Sequence, residues 1–214
     1  YFHSVSLTSD QQRSDLFGDT LKRSLADYDS REIFRHYADK ADTEDPLSLI
    51  QYLDVKTYLV GDILTKVDRA SMAHGLEVRV PLLDHFLVEW IAQLPSSLKL
   101  RGQNGKHVFK KAMEPHLPHN VLYRRKMGFG VPLADWFRGP LQGILKQRLL
   151  GGVIAECGLF NLGFIEQVID QHLAKTRDNS VLIWTLFMFQ GFLQQELDVF
   201  PGSETSRASL VVGA

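Results

Sequence analysis

The chain has 214 residues, 44% of them hydrophobic, enough apolar material for one domain or two small ones. Its 24 basic and 25 acidic residues leave a formal charge of −1, which argues against a general nucleic-acid binder because phosphate neutralisation needs a basic surplus. One cysteine, Cys157, excludes an intrachain disulfide and fits a reducing compartment, and no apolar run approaches the roughly 20 residues of a membrane span.

In chain order, Thr8-Ser9-Asp10 offers a helix N-cap, and Leu16 and Phe17 close a short segment near Gly18. Leu21, Leu25, Tyr28, Ile33, Phe34 and Tyr37 predict helical pieces over 19–39, broken around Asp27–Ser30. Pro46 follows an acidic turn and suits a first helical turn, and Leu47, Ile50, Leu53, Tyr58 and Leu59 form a stripe that ends near Gly61. From Asp62 to Asp84 charged residues sit in an apolar frame. Asp62, Lys66 and Arg69 line one helix face, Asp68 a neighbouring one, and Ile63, Leu64, Val67 and Met72 an apolar side. Gly75 stops this helix, and Pro81 forces Val80 extended. So little polar filler points to a half-buried polar site; the structural alternative is a surface helix carrying i,i+4 ion pairs. Glu77 and Arg79, two apart in an extended segment, face the same side, and an ion pair is their default.

Phe86, Leu87, Trp90, Ile91 and Leu94 predict another helix, ended by Pro95. Residues 98–101 read as a brief extended piece before the turn Gly102-Gln103-Asn104-Gly105. Lys106–Met113 reads as a helix with Lys106, Lys110 and Lys111 outward and Val108, Phe109 and Ala112 inward. Arg124, Arg125 and Lys126 then enter a glycine-containing loop up to Pro132. Adjacent cations can hold phosphate oxygens where glycine lets the backbone come close, although such triplets are usually solvated. Trp136, Phe137, Leu141, Ile144 and Leu149 predict one amphipathic helix broken at Gly151-Gly152. Asn161 caps a helix over 162–175, Asn179-Ser180 caps one over 181–197, and 181–189 reads as buried. Residues 1–200 form the helical body, and 201–214 lack a sustained period and are expected to be poorly ordered. No zinc-ligand spacing, Walker loop or GxSxG elbow is present.

Lys66-Val67-Asp68-Arg69 followed by residues 72–84, MAHGLEVRVPLLD, resembles the glutamine-hydrolysing asparagine synthetases, in the C-terminal part of their synthetase domain. Residues 125–132, RKMGFGVP, are similar to that family's lysine loop, and Lys106 sits where another lysine is usual. The resemblance implies a mostly α fragment, the helical C-terminal portion of an α/β adenine-nucleotide α-hydrolase-like (PP-loop) domain. It implies a cytoplasmic ligase that uses ATP and Mg²⁺ to adenylate the side-chain carboxylate of aspartate and then transfers ammonia, released from glutamine, to give asparagine. Lys126 is then the catalytic lysine. Lys66, Asp68, Arg69, Lys106 and Arg125 lie on the nucleotide side, and Glu77, Arg79 and Asp84 brace the architecture. No metal ligand is expected among these residues. The family's glutaminase cysteine, pyrophosphate loop and acidic segment are missing and are expected upstream of Tyr1, so the residues read as an inactive piece of a longer enzyme that allows a homodimer and contacts no nucleic acid or membrane. The alternatives are another carboxylate acceptor or a helical interaction module without chemistry.

Overall fold

The computed structural model describes residues 1–125 and 130–199, with side chains to Glu196. The expected tail at 201–214 and the middle of the glycine-containing loop, Lys126 included, lie outside the described residues. Fifteen helices are described: α1 (Phe2–Val5), α2 (Asp10–Leu16), α3 (Asp19–Ser24), α4 (Arg31–Asp39), α5 (Pro46–Lys56), α6 (Thr65–Met72), α7 (His85–Ala92), α8 (Ser96–Lys99), α9 (His107–Met113), α10 (His119–Leu122), α11 (Leu133–Arg138), α12 (Gln142–Gly151), α13 (Val153–Glu156), α14 (Leu162–Leu173) and α15 (Ser180–Val199). A π-helical turn, Leu59–Leu64, runs into α6, and a 3-10 turn, Pro81–Leu83, precedes α7. The expected helical character holds, and the extended piece expected over 98–101 is confined to its last two residues, because Leu98 and Lys99 belong to α8. Leu100–Arg101 (β1) pairs antiparallel with Asn104–Gly105 (β2), and Gly102, at φ 60°, takes the first position of their two-residue turn as a II′ hairpin requires.

The chain divides into two compact units: Ser30–Gly128 with Tyr1, and Phe2–Asp29 with Phe129–Ala214. The second unit holds the core. Phe137, Leu145, Leu149, Ile165, Ile169 and Ile183 are fully buried, and each such side chain contributes about 1.5–3 kcal/mol relative to exposure. Its two sequence segments are stitched by backbone. Gly18 donates to the Leu159 carbonyl at 2.8 Å, Asn161 donates to the Leu16 carbonyl at 2.8 Å, and Phe17 bridges Phe160 between them. A Cβ on Gly18 would lie 3.2 Å from the Leu159 oxygen, so the close approach favours glycine. Two of the predicted caps form: Ser9 and Gln12 make a reciprocal capping box, and Asn161 Oδ1 accepts from Phe164 N.

Three sequence expectations are corrected in this unit. The helix expected from Trp136 to Leu149 is two helices, because Pro140 has no amide hydrogen to continue the ladder and Gly139 leaves the helical region. Residues 181–189 are buried on one face only: Leu182, Ile183 and Leu186 point inward, while Val181, Trp184 and Met188 are exposed. Asp178, rather than Asn179, accepts from the Ser180 amide, and the buried Asn179 side chain turns back to donate to the Val168 carbonyl.

In the first unit, Leu53 and Lys99 are the only described residues that are buried. Lys99 belongs to a clasp. Asp45 caps α5 by accepting from Ser48 N at 2.8 Å and also accepts from the Ser96 hydroxyl, while Lys99 Nζ donates to Ser48 Oγ at 3.3 Å and to the Ala92 carbonyl at 3.0 Å. The hydrogen bonds from Ser96 and Ser48 hold the Asp45 carboxyl below its ordinary range. The clasp closes the segment that presents the charged motif.

Candidate functional site

Gly61 does not end a helix. The backbone widens there into the π turn, the Thr65 hydroxyl donates to the Val60 carbonyl five residues back, and α6 follows without a break. This puts Lys66 beside Asp62 at 3.3 Å, the ion pair that the spacing predicts. The pair is exposed, and no residue of α6 is buried, so the half-buried polar site expected from the sequence is replaced by an open charged face. The sparse polar filler reflects apolar side chains that this unit leaves uncovered, including Val67, Met72, Leu76, Val78, Leu82 and Phe86. On that face Asp68 and Arg69 have no ion-pair partner among the described residues.

Arg79 Nε donates to Glu77 Oε1 at 2.7 Å, and both side chains are exposed. Asp84 acts as the N-cap of α7, accepting from Leu87 N at 3.2 Å. No hydrogen bond or ion pair among the described residues joins these groups to Lys106 or Arg125.

Lys106 caps α9 in the left-handed region, at φ 58° and ψ 35°, rather than starting the helix. That conformation costs a non-glycine residue about 1–2 kcal/mol. Along α9, Lys110 is half-buried and Val108 partly buried, but Phe109 and Ala112 are exposed, against the expected inward face. Arg124 and Arg125 are exposed and have no ion-pair partner among the described residues.

Sequence reasoning missed a cluster just before them. Tyr123 donates its hydroxyl to Glu114 Oε1 at 2.7 Å, Lys111 Nζ reaches the same oxygen at 2.9 Å, the His119 ring stacks on Tyr123 at 4.5 Å, and Lys110 Nζ lies 5.4 Å from the Tyr123 ring centre. The bonds from Tyr123 and Lys111 lower the Glu114 pKa, and Glu114 in turn raises those of Tyr123 and Lys111. The signal was available: between Glu89 and Asp135, Glu114 is the only acidic residue in a run with eight lysines and arginines. Such a run suits phosphate oxygens, which cations of this kind hold by charge-assisted hydrogen bonds.

Among the described residues no three His, Cys, Asp or Glu side chains form a metal cluster, and no helix is long and apolar enough to cross a membrane. The second unit contains a polar groove of about 740 Å³ lined by Gln12, Asp15, Lys22, Gln167, Gln171 and Arg177, with none of the sequence-predicted residues in it.

Comparison with known proteins supplies the family. Glutamine-hydrolysing asparagine synthetase 1 of Bacillus subtilis is 29% identical over 183 residues, covering 81% of this chain and 28% of the relative. The amidase chry2 of Gibberella zeae is 30% identical over 128 residues, covering 56% of this chain and 18% of the relative. Glutamine-hydrolysing asparagine synthetase 3 of Bacillus subtilis is 40% identical over 75 residues, covering 35% of this chain and 12% of the relative. The chain therefore spans little more than a quarter of the first of these relatives and less of the other two. No solved structure gives a significant match. The family description "Asparagine synthase" matches residues 3–194, which include both motifs and most of each unit, and the chain belongs to the asparagine synthase family.

Proposed function

We propose that this chain is the C-terminal helical part of an ATP-dependent, glutamine-hydrolysing asparagine synthetase. The observation that carries the reading is the family match across residues 3–194, with the charged helix and the cationic run inside it in the order the family requires. In the proposed reaction an aspartate side-chain oxygen bonds to the α-phosphorus of ATP as the bond to the β-phosphate oxygen breaks, releasing pyrophosphate. Ammonia then bonds to the activated acyl carbon, the carbon–oxygen bond to AMP breaks, and asparagine leaves. Negative charge accumulates on phosphate oxygens in the first step, and fixed cations lower its barrier. Lys126 is assigned that role, with Arg125, Lys106, Lys66 and Arg69 as further phosphate-side cations and Asp68 holding their arrangement. Glu77, Arg79 and Asp84 brace the segment between them. Mg²⁺ accompanies the nucleotide. Ammonia comes from a glutaminase domain of the same polypeptide, in the cytoplasm. The uncovered apolar side chains of the first unit are the surface on which the rest of the synthetase domain packs.

The test uses the full-length protein with ammonia supplied. Aspartate is expected to stimulate ATP-dependent pyrophosphate release, with asparagine and AMP as products. Lys126→Ala is expected to lower that release by about 100-fold or more while leaving glutamine hydrolysis largely intact. Release indifferent to aspartate overturns the acceptor, and unchanged release in the variant removes Lys126 from the mechanism.

A further inference from the structure

We propose that Tyr123, anchored on Glu114, is a positioning residue that pre-orients Arg124 and Arg125 for the phosphates of a bound nucleotide. The inference rests on the reading that these cations face ATP.

The argument begins with an economy of charge. From Trp90 to Ala134 the only acid is Glu114, against Lys99, Arg101, Lys106, Lys110, Lys111, Arg124, Arg125 and Lys126. A lone carboxylate in such a run would, by default, neutralise an arginine. Instead its Oε1 takes the Tyr123 hydroxyl and the Lys111 ammonium, while Arg124 and Arg125, directly after Tyr123, have no ion-pair partner among the described residues. Lys111 lies on α9, Glu114 is the residue that closes that helix, and Tyr123 is the residue that closes α10. One oxygen therefore ties the end of one helix to the end of the next across the Pro115–Pro118 connection. Tyr123 is further held by the stacked His119 ring and by Lys110 over its own. The last residue before the two arginines is fixed from three directions, and the arginines remain available to a ligand.

A role in stability alone explains this poorly. The cluster lies at the surface, where ion pairs and hydrogen bonds contribute little to folding. Fixing the start of a cationic segment instead lowers the ordering cost when a polyanion binds, and two guanidinium forks held in register match phosphate oxygens.

The test is calorimetric titration of the full-length protein with MgATP, with aspartate-dependent pyrophosphate release followed separately. Tyr123→Phe is expected to weaken MgATP binding about fivefold, the usual order for one lost polar restraint, with the melting temperature unchanged. Glu114→Ala is expected to match it, Glu114→Gln, which keeps an oxygen acceptor for the hydroxyl, to restore binding to within about twofold, and the double variant Tyr123→Phe/Glu114→Ala to be no worse than either single one. Additive losses, MgATP affinity unchanged by Tyr123→Phe, or weakening matched by a fall in melting temperature each overturn the proposal. A wild-type protein that does not bind MgATP overturns both this and the function proposed above. One that binds MgATP but ignores aspartate overturns only the acceptor.

Discussion

His172 is a fully buried histidine whose surroundings favour its neutral form. Its Nδ1 accepts the Asn179 amide hydrogen at 3.2 Å, Arg138 Nε donates to the His172 carbonyl at 2.9 Å, and the Arg138 guanidinium reaches within 3.5 Å of the ring. Its Nε2 has no hydrogen-bond partner among the described residues, and Phe137 packs edge-on. Burial and then Arg138 push its pKa below the ordinary 6.5, outweighing the Ala134 backbone and Asp178, whose Oδ1 lies 3.5 Å away. An unfolded chain protonates near 6.5 while the folded one resists, so the unfolded state binds more protons and stability falls as pH drops through that value. The urea midpoint of the chain is expected to be lower at pH 5.5 than at pH 7.5, by at most about 1.4 kcal/mol in stability. His172→Asn, which keeps an acceptor near the Nδ1 position, is expected to remove the difference; an equal slope in both proteins removes His172 as its source. Ser9 and Asn161 were legible in the sequence because a cap is a local bond within four residues. His172 and Lys99 were not, because their burial is imposed by segments the local pattern does not contain.

Among the elements, α13 depends on a glycine for steric rather than conformational reasons. Gln190 on α15 is buried and accepts the Ile154 amide hydrogen at 2.9 Å, satisfying a helix start that has no side-chain cap of its own. Gly152 makes room for it: a Cβ there would lie 2.6 Å from the Arg148 oxygen and strike the Gln190 amide. Gly152→Ala is expected to cost about 1–3 kcal/mol, read as a lower urea midpoint, by displacing Gln190 and stranding the Ile154 amide. A midpoint equal to wild type refutes the account. The sequence marks Gly151-Gly152 as a break but does not say which neighbour needs the space. The Pro140 break was available from the residue itself, since the apolar period runs across a position that cannot donate. The π turn at Leu59–Leu64 is marked only by Gly61, which reads as a helix end, and the wider turn itself shows only in the backbone. The Asp62–Lys66 pair survives it and was read correctly; the burial around that pair was not.

For the whole molecule, the two units differ in how much of their apolar surface they cover. Phe86 is 70% exposed, Leu76 61% and Trp90 54%, all in the first unit, whereas the second, though it also exposes Leu7 and Phe192, closes around a buried apolar cluster. On the function proposed above, the rest of the synthetase domain covers these side chains. The chain of 214 residues is expected to bind an apolar dye strongly and the full-length protein weakly; equal dye fluorescence per mole refutes that contrast. The helical class was legible from periodicity, and the charged and cationic motifs carried the family. The division into two units was not read from the sequence: the breaks at Asp27–Ser30 and in the glycine-containing loop before Pro132 were legible, but a local break does not say that the segments on its far sides, 2–29 and 129 onward, pack together.

That division sets an order of events during synthesis. The Gly18–Leu159 and Asn161–Leu16 bonds join residues roughly 140 positions apart. At translation rates of about 5–20 residues per second, α2 and α3 therefore wait about 7–28 s for their partners to be made. Residues 30–125 emerge in that interval with their apolar faces bare. The ribosome thus releases α2 and α3 long before the residues they dock on exist, and a chaperone that engages nascent chains would meet both helices with those partners still unmade.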